Sequence, residues 1–169
     1  MARIIRVAAA QMGPTQLRDA RPDTLARMIA LLEQAAVAGA TLVVFPELAF
    51  TTFFPRWLLD GADLESCFER AMPNPAVQPL FDRARALGIG FYVGYAELTR
   101  GGQRFNSALL VAPDGALLGR YRKIHLPGSI EPRAANASSN WRSATSPMAT
   151  SAFPCSARRR PGTAACSAC

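Results

Sequence analysis

The carboxyl-terminal fifth of the sequence lacks the residues from which a protein core is usually built. Residues 134–169 contain no Leu, Ile or Val and no Asp or Glu, but they include ten Ala, seven Ser and four Arg. A segment of this composition cannot bury enough apolar surface to offset its chain entropy. We therefore interpret residues 134–169 as a low-complexity basic tail that is disordered, and we expect the fold to lie within residues 1–133.

Membrane and metal signals are also scarce. No apolar run reaches the roughly 20 residues that span a bilayer as a helix. Cys166 and Cys169 have C-x-x-C spacing, but no partner ligands accompany them, so chance explains this spacing better than a zinc or redox site. We expect no membrane association, no metal and no cofactor, and we expect a cytoplasmic protein.

The positive charge is unevenly distributed. The whole chain carries a formal net charge of +7, yet residues 1–133 hold all 12 acidic residues and 15 of the 19 basic ones, which leaves only +3 there. The folded part shows no basic stripe interleaved with aromatic residues, the pattern typical of nucleic-acid binding. We therefore expect no nucleic-acid partner.

The hydrophobic pattern predicts an α/β fold. Strand and helix patterns alternate at the start of the chain, which is typical of a βαβ unit with parallel strands. The "PDG" of residues 113–115 predicts a turn between two antiparallel strands. In chain order, the expected elements are a strand at 3–12, a helix at 23–40, a strand at 40–47, a helix at 74–88, a strand at 89–98 and a strand pair at 104–126.

Three polar residues are candidates for chemistry. Glu47 follows the apolar run "TLVVFP", and the carboxyl ends of strands are where open α/β sheets place their sites; it is either a general base or a solvated acid at a strand end. Lys123, the only lysine, follows the last predicted strand, where it could stabilise an oxyanion or simply be exposed. His125, the only histidine, is two residues further on, and a lone histidine is more often structural than catalytic.

Four stretches carry a resemblance to a known family. "FPELAFTTFFPRW" (45–57), "LGIGFYVGYAEL" (87–98), "RFNSALLVAPDG" (104–115) and "GRYRKIHLPG" (119–128) resemble the carbon–nitrogen hydrolase (nitrilase) superfamily. Within it they resemble the N-carbamoyl-D-amino-acid hydrolases, the branch to which "TTFFPRW" points. The resemblance implies that residues 1–133 are the amino-terminal part of a carbon–nitrogen hydrolase domain, a partial four-layer α-β-β-α sandwich.

The resemblance also implies a mechanism. The superfamily uses a Glu–Lys–Cys triad, in which Glu47 matches the motif glutamate and Lys123 the motif lysine, while His125 matches a position near the substrate's carbamoyl end. The implied reaction converts an N-carbamoyl-D-amino acid to the D-amino acid, ammonia and carbon dioxide without a cofactor. Intact members are expected to be homo-oligomers that bind this small molecule.

The third triad member is missing from this sequence. None of the four cysteines has the family's "C-N-D-R-R-W-P" neighbourhood. Consider a shifted frame in which each new codon takes the last base of one present codon and the first two bases of the next. In that frame the codons of Asn140 and Trp141 give Leu, and those of Met148 and Ala149 give Gly. Both then fall at their places in the family's "LEKRYF" and "GDLGFPV". We infer a reading-frame shift between about residues 132 and 137, so that the tail is out of frame and the chain is inactive.

Two functions remain open from the sequence. One is a carbon–nitrogen hydrolase by descent that is inactive in this form. The other is a non-catalytic binding or scaffold fragment, which would use the Arg-rich "SARRRPG" of residues 156–162 as an electrostatic tether. Salt-sensitive retention on nucleic acid would favour the second, and activity after repair of the frame would favour the first.

Overall fold

The structure is a computed structural model, and it describes residues 4–57, 59 and 61–124. His125 and the tail at 134–169 lie outside the described residues. The described elements are, in chain order, β1 (Val7–Ala9), α1 (Arg21–Val37), β2 (Leu42–Val44), a 3-10 turn (Phe54–Arg56), α2 (Gly61–Glu65), α3 (Gln78–Leu87), β3 (Gly90–Leu98), β4 (Arg104–Val111) and β5 (Leu117–Arg122).

The five strands form one sheet in the order β1-β2-β3-β4-β5. β1, β2 and β3 run parallel, and β4 and β5 continue the sheet antiparallel. The predicted α/β fold is confirmed. The described residues supply one helical layer and one sheet of the four-layer sandwich that the resemblance implies.

Helix α1 forms because its apolar residues recur at helical spacing. Leu25, Met28 and Leu32 are all buried, and they lie three or four residues apart on one stripe. Pro22 occupies the first turn, where a missing N–H costs nothing. Gly39 follows the helix with a φ of +73°, a backbone conformation that glycine adopts without strain. The helix predicted at 23–40 is thus present, but it runs from Arg21 to Val37.

The main core lies between the sheet and the two longer helices. Helix α3 buries Leu80, Phe81 and Ala84 and packs against α1 and β3. Phe91 on β3 is fully buried, and its ring meets those of Phe45 and Phe81 edge to face, with centroids 6.2 and 5.0 Å away. Edge-to-face pairs of this kind add to the free energy gained from burial.

The turn between β4 and β5 has the predicted chemistry. Asp114 accepts a hydrogen bond from the amide of Ala116 at 2.9 Å, and the amide of Ala112 donates to the carbonyl of Ala116 at 2.8 Å. Gly115 has a φ of +88°, which favours glycine at this position. The hairpin returns the chain along β4, so that the end of β5 lies beside Asn106 and Ser107 of β4.

Two local features differ from the sequence-based expectation. Helix α3 begins at Gln78 rather than at residue 74, because Asn74 instead caps a turn in which its side chain accepts from the amide of Ala76. The short helix α2 was not predicted. It has five residues and one buried side chain, Leu64, which is too short a pattern for helical periodicity to reveal.

Candidate active site

Glu47 lies on a bulge beyond the end of β2. The amide of Phe45 donates to the carbonyl of Tyr92 at 2.8 Å, and the amide of Ala49 donates to the carbonyl of Gly94 at 2.9 Å. The three residues 46–48 are left outside this ladder, and Leu48 adopts a φ of +52°, which is uncommon for a residue with a side chain. A bulge of this kind redirects a side chain away from the regular pleat.

Gly94 on β3 makes room for the bulge. A Cβ atom at this position would lie 2.9 Å from the Cα of Glu47 and 3.1 Å from the amide nitrogen of Leu48. Distances this short to backbone atoms cannot be relieved by rotating a side chain. The glycine of "YVGYAEL" is thus required for Glu47 to sit where it does.

Lys123 meets Glu47 directly. It follows β5, and its amide donates to the carbonyl of Asn106 at 2.8 Å. Its Nζ donates to Oε1 of Glu47 at 2.8 Å, although the two residues are 76 positions apart in the chain. Two of the residues that the sequence singled out are therefore brought together, while the third, His125, lies outside the described residues.

Asn106 is a third member of this cluster that the sequence analysis missed. It lies on β4, opposite Lys123, and its Nδ2 donates to the same Oε1 of Glu47. The available signal was its place in "RFNS", where side chains alternate between the two faces of the strand. That alternation becomes informative only when the register with β5 is known.

The ionisation of Glu47 reflects competing effects. Burial raises its pKa, but the hydrogen bonds from Lys123 and Asn106 and the positive charge of Lys123 outweigh burial and hold the pKa below the ordinary glutamate value. The side chain is therefore a carboxylate at neutral pH, able to accept a proton, with an ammonium group in contact. That is the pair needed to deprotonate a nucleophile and to stabilise a developing oxyanion.

We expect an acid titration to report this lowered pKa. Because Lys123 is the only lysine, reductive methylation with [13C]formaldehyde labels it and the amino terminus alone, and a Lys123→Arg variant identifies its signal. The Lys123 methyl shift should change as Glu47 protonates, below the ordinary glutamate range. Because the folded-state pKa is lowered, the stabilisation from this pair is present above the unfolded-state pKa and is lost as pH falls through the folded-state pKa. A midpoint at or above the ordinary value would contradict the pairing.

Cys67 is not placed to act with Glu47. It is buried, its Sγ donates to the carbonyl of Asp63 at 3.5 Å, and burial raises its thiol pKa. A raised pKa disfavours the thiolate, which is the reactive form. Cys67 lines a cavity of about 730 Å³ beside the start of α1, and neither Glu47 nor Lys123 lines that cavity.

Among the described residues, no three His, Cys, Asp or Glu side chains cluster as a metal site would require. None of the described helices has the length and apolar character needed to cross a membrane.

Comparison with known proteins places these residues in a wider group. The sequence model of the carbon-nitrogen hydrolase family matches residues 6–166. This match extends past residue 133, and the domain boundary set there stays a prediction. A nitrilase of Pyrococcus abyssi is 36% identical over 126 residues, which are 73% of this chain and 44% of that protein. A nitrilase of Paraburkholderia phymatum is 32% identical over 130 residues, 72% of this chain and 37% of that protein.

An omega-amidase and two solved structures extend the comparison. The omega-amidase NIT2 of Danio rerio is 30% identical over 130 residues, 74% of this chain and 43% of that protein. The chain thus spans about two fifths of the length of these relatives. The amidase from Nesterenkonia sp. superposes with a TM-score of 0.62 at 20% identity, covering 85% of this chain and 49% of that one. Saccharomyces cerevisiae Nit3 superposes with a TM-score of 0.63 at 21% identity, covering 82% of this chain and 48% of that one. These structures confirm the fold.

Proposed function

Because the chain belongs to the carbon–nitrogen hydrolase family, we propose that Glu47 and Lys123 are two members of a Glu–Lys–Cys triad for hydrolysis of carbon–nitrogen bonds. The observation that carries the proposal is the 2.8 Å contact between Lys123 Nζ and Glu47 Oε1. A glutamate and a lysine this far apart in sequence meet on the same side of the sheet, at the end of a parallel strand, where α/β folds place their sites.

Each side chain has a defined step in the proposed reaction. Glu47 takes the proton from a cysteine thiol, and the thiolate attacks the carbonyl carbon of the substrate. Lys123 stabilises the negative oxygen of the tetrahedral intermediate. The amine leaves with a proton returned by Glu47, and water then releases the acyl group from the sulfur. Asn106 holds the Glu47 carboxylate in place through its amide hydrogen bond.

For the substrate, we propose N-carbamoyl-D-amino acids. The support is the "TTFFPRW" segment (51–57) that directly follows the bulge bearing Glu47, and its similarity to the carbamoylase branch. His125 is proposed to contact the carbamoyl end. With this substrate, attack releases the D-amino acid, and hydrolysis of the carbamoyl-enzyme yields carbamate, which decomposes to ammonia and carbon dioxide.

A substrate panel tests the proposal. The protein to use is the frame-restored chain, in which the residues after about 132 are those encoded in the shifted frame through the family's cysteine motif. It should release ammonia from N-carbamoyl-D-amino acids, and faster than from their L enantiomers, from ω-amides of dicarboxylic acids or from aliphatic nitriles. If an ω-amide or a nitrile were turned over faster, the proposed substrate would be wrong, but the proposed triad would stand. No turnover of any of these by a folded, frame-restored chain would contradict the proposed function.

A further inference from the structure

A buried carboxylate lies on the opposite face of the sheet from Glu47. Glu97, on β3, is 5% exposed. Its Oε2 accepts from Ser107 Oγ at 2.6 Å and from Arg122 Nε at 2.8 Å. Its Oε1 accepts from Arg122 Nη2 at 2.7 Å and from Arg120 Nη1 at 3.1 Å. A buried carboxylate is tolerated when its charge is paired and its oxygens are hydrogen-bonded, as here.

The partners of Glu97 are the chain neighbours of the partners of Glu47. Ser107 pairs with Arg122 across the β4–β5 ladder, and the next pair is Asn106 with Lys123, joined by the Lys123 amide. Because successive side chains of a strand point to opposite faces, Ser107 and Arg122 reach Glu97 on one face. Asn106 and Lys123 reach Glu47 on the other.

This arrangement fixes the end of β5. β5 is the last strand of the described sheet, and its ladder with β4 already contains an irregularity between Leu110 and Val111. A shift of one residue in this pairing would move Lys123 to the wrong face. The two hydrogen bonds between Arg122 and Glu97 hold the residue directly before Lys123, and the Arg122 guanidinium also lies 4.0 Å over the ring of Phe105.

We propose that Glu97 is a positioning residue, which holds Arg122 and Ser107 on one face of the sheet so that Lys123 and Asn106 converge on Glu47 on the other. The inference deepens the proposed function, since Lys123 is the proposed oxyanion cation. Glu97 itself touches neither Glu47 nor Lys123 in the described contacts. Its role is geometric and is carried through the two strands.

Loss of the Glu97 charge and loss of its positioning role have opposite effects on the pKa of Glu47. Arg120, Arg122 and the phenol of Tyr95 surround Glu97. Among the residues that the structure describes, Lys123 and the phenol of Tyr92 are the ionisable groups that face Glu47. Replacing Glu97 by Gln removes a negative charge and leaves two arginines unneutralised, which by electrostatics alone lowers the pKa of Glu47 further. Loss of the Lys123 contact acts in the opposite direction and raises it.

The experiment is the [13C]methyl titration of Lys123 on the Glu97→Gln chain. The expected result is an upward shift of the Glu47 midpoint toward the ordinary glutamate value. Glu69→Gln is the matched control, because Glu69 is equally buried at 5% and pairs with Arg21 and Asn74 rather than with β4 or β5. This control should show no upward shift, even if it lowers stability as much as Glu97→Gln does.

A second variant, which changes no charge, keeps the test informative if Glu97→Gln does not fold. Ser107→Ala removes one hydrogen bond to Glu97 without changing any charge, so any upward shift of the Glu47 midpoint in this variant must be positional. A smaller upward shift than in Glu97→Gln is expected. A midpoint that is unchanged or lowered in every variant that folds by circular dichroism would overturn the positioning role. Because no substrate is involved, that outcome would leave the proposed reaction to be judged by its own assay.

Discussion

Replacing Glu47 by alanine in the frame-restored chain should lower kcat for the carbamoyl substrate by about 10²–10⁴-fold, the usual contribution of general acid–base catalysis. Glu47 is the ionised carboxylate that contacts Lys123, and without it the thiol has no proton acceptor. Lys123→Ala should cost about 10²–10³-fold through loss of oxyanion stabilisation. Because members of a triad act as a unit, the double variant should lose far less than the product of the two losses.

A surface glutamate provides the control for these variants. Glu33 pairs with Arg83, and both side chains are more than two fifths exposed, so Glu33→Ala should leave kcat within about twofold, as for substitutions away from a reacting centre. The 169-residue chain should release no ammonia above background, since it lacks a cysteine in the family's motif. Turnover by that chain, or an active Glu47→Ala variant of the frame-restored chain, would contradict the proposed mechanism.

The largest expected effect on stability is at Phe91. Phe91→Ala should reduce the free energy of unfolding by about 3–5 kcal/mol, because Phe91 is fully buried and packs edge to face against Phe45 and Phe81. Since small domains are stable by only about 5–15 kcal/mol, this variant should be close to unfolded at room temperature. Urea unfolding followed by circular dichroism measures the change in midpoint and in slope.

The exposed Phe53 is the matched control for Phe91. It is the same residue type, lies before the 3-10 turn and is 47% exposed, so Phe53→Ala should change the free energy of unfolding by less than about 0.5 kcal/mol. If the two variants lost similar stability, the helix–sheet core described here would not be the structure that unfolds.

Much of the fold could be predicted from the sequence because its elements are strongly patterned. The stripe of Leu25, Met28 and Leu32 and the apolar run before Glu47 identify α1 and β2. The resemblance motifs then identify Glu47 and Lys123 as a pair. Element ends were less predictable. The ladder between β1 and β2 includes only three residues from each strand, while the apolar runs that predicted them are longer.

The rest depended on long-range register, which no local pattern contains. Asn106 and Glu97 are polar residues in strands, and each looks unremarkable in sequence. Their roles follow from one pairing, Ser107 with Arg122, which decides the side chains that face Glu47 and those that face Glu97. The bulge at residues 46–48 is likewise set by a backbone approach to Gly94 across the sheet.

Carbodiimide cross-linking tests whether Glu47 and Lys123 are in contact in the folded protein. The reagent activates a carboxylate, and an amine in contact with it then displaces the activator to form an amide. Because Lys123 is the only lysine, digestion and mass spectrometry can identify its partner without ambiguity. We expect a Glu47–Lys123 amide that is absent from the Glu47→Gln chain. Recovery of Lys123 joined to a different carboxylate, or no Glu47–Lys123 product from folded protein, would contradict it.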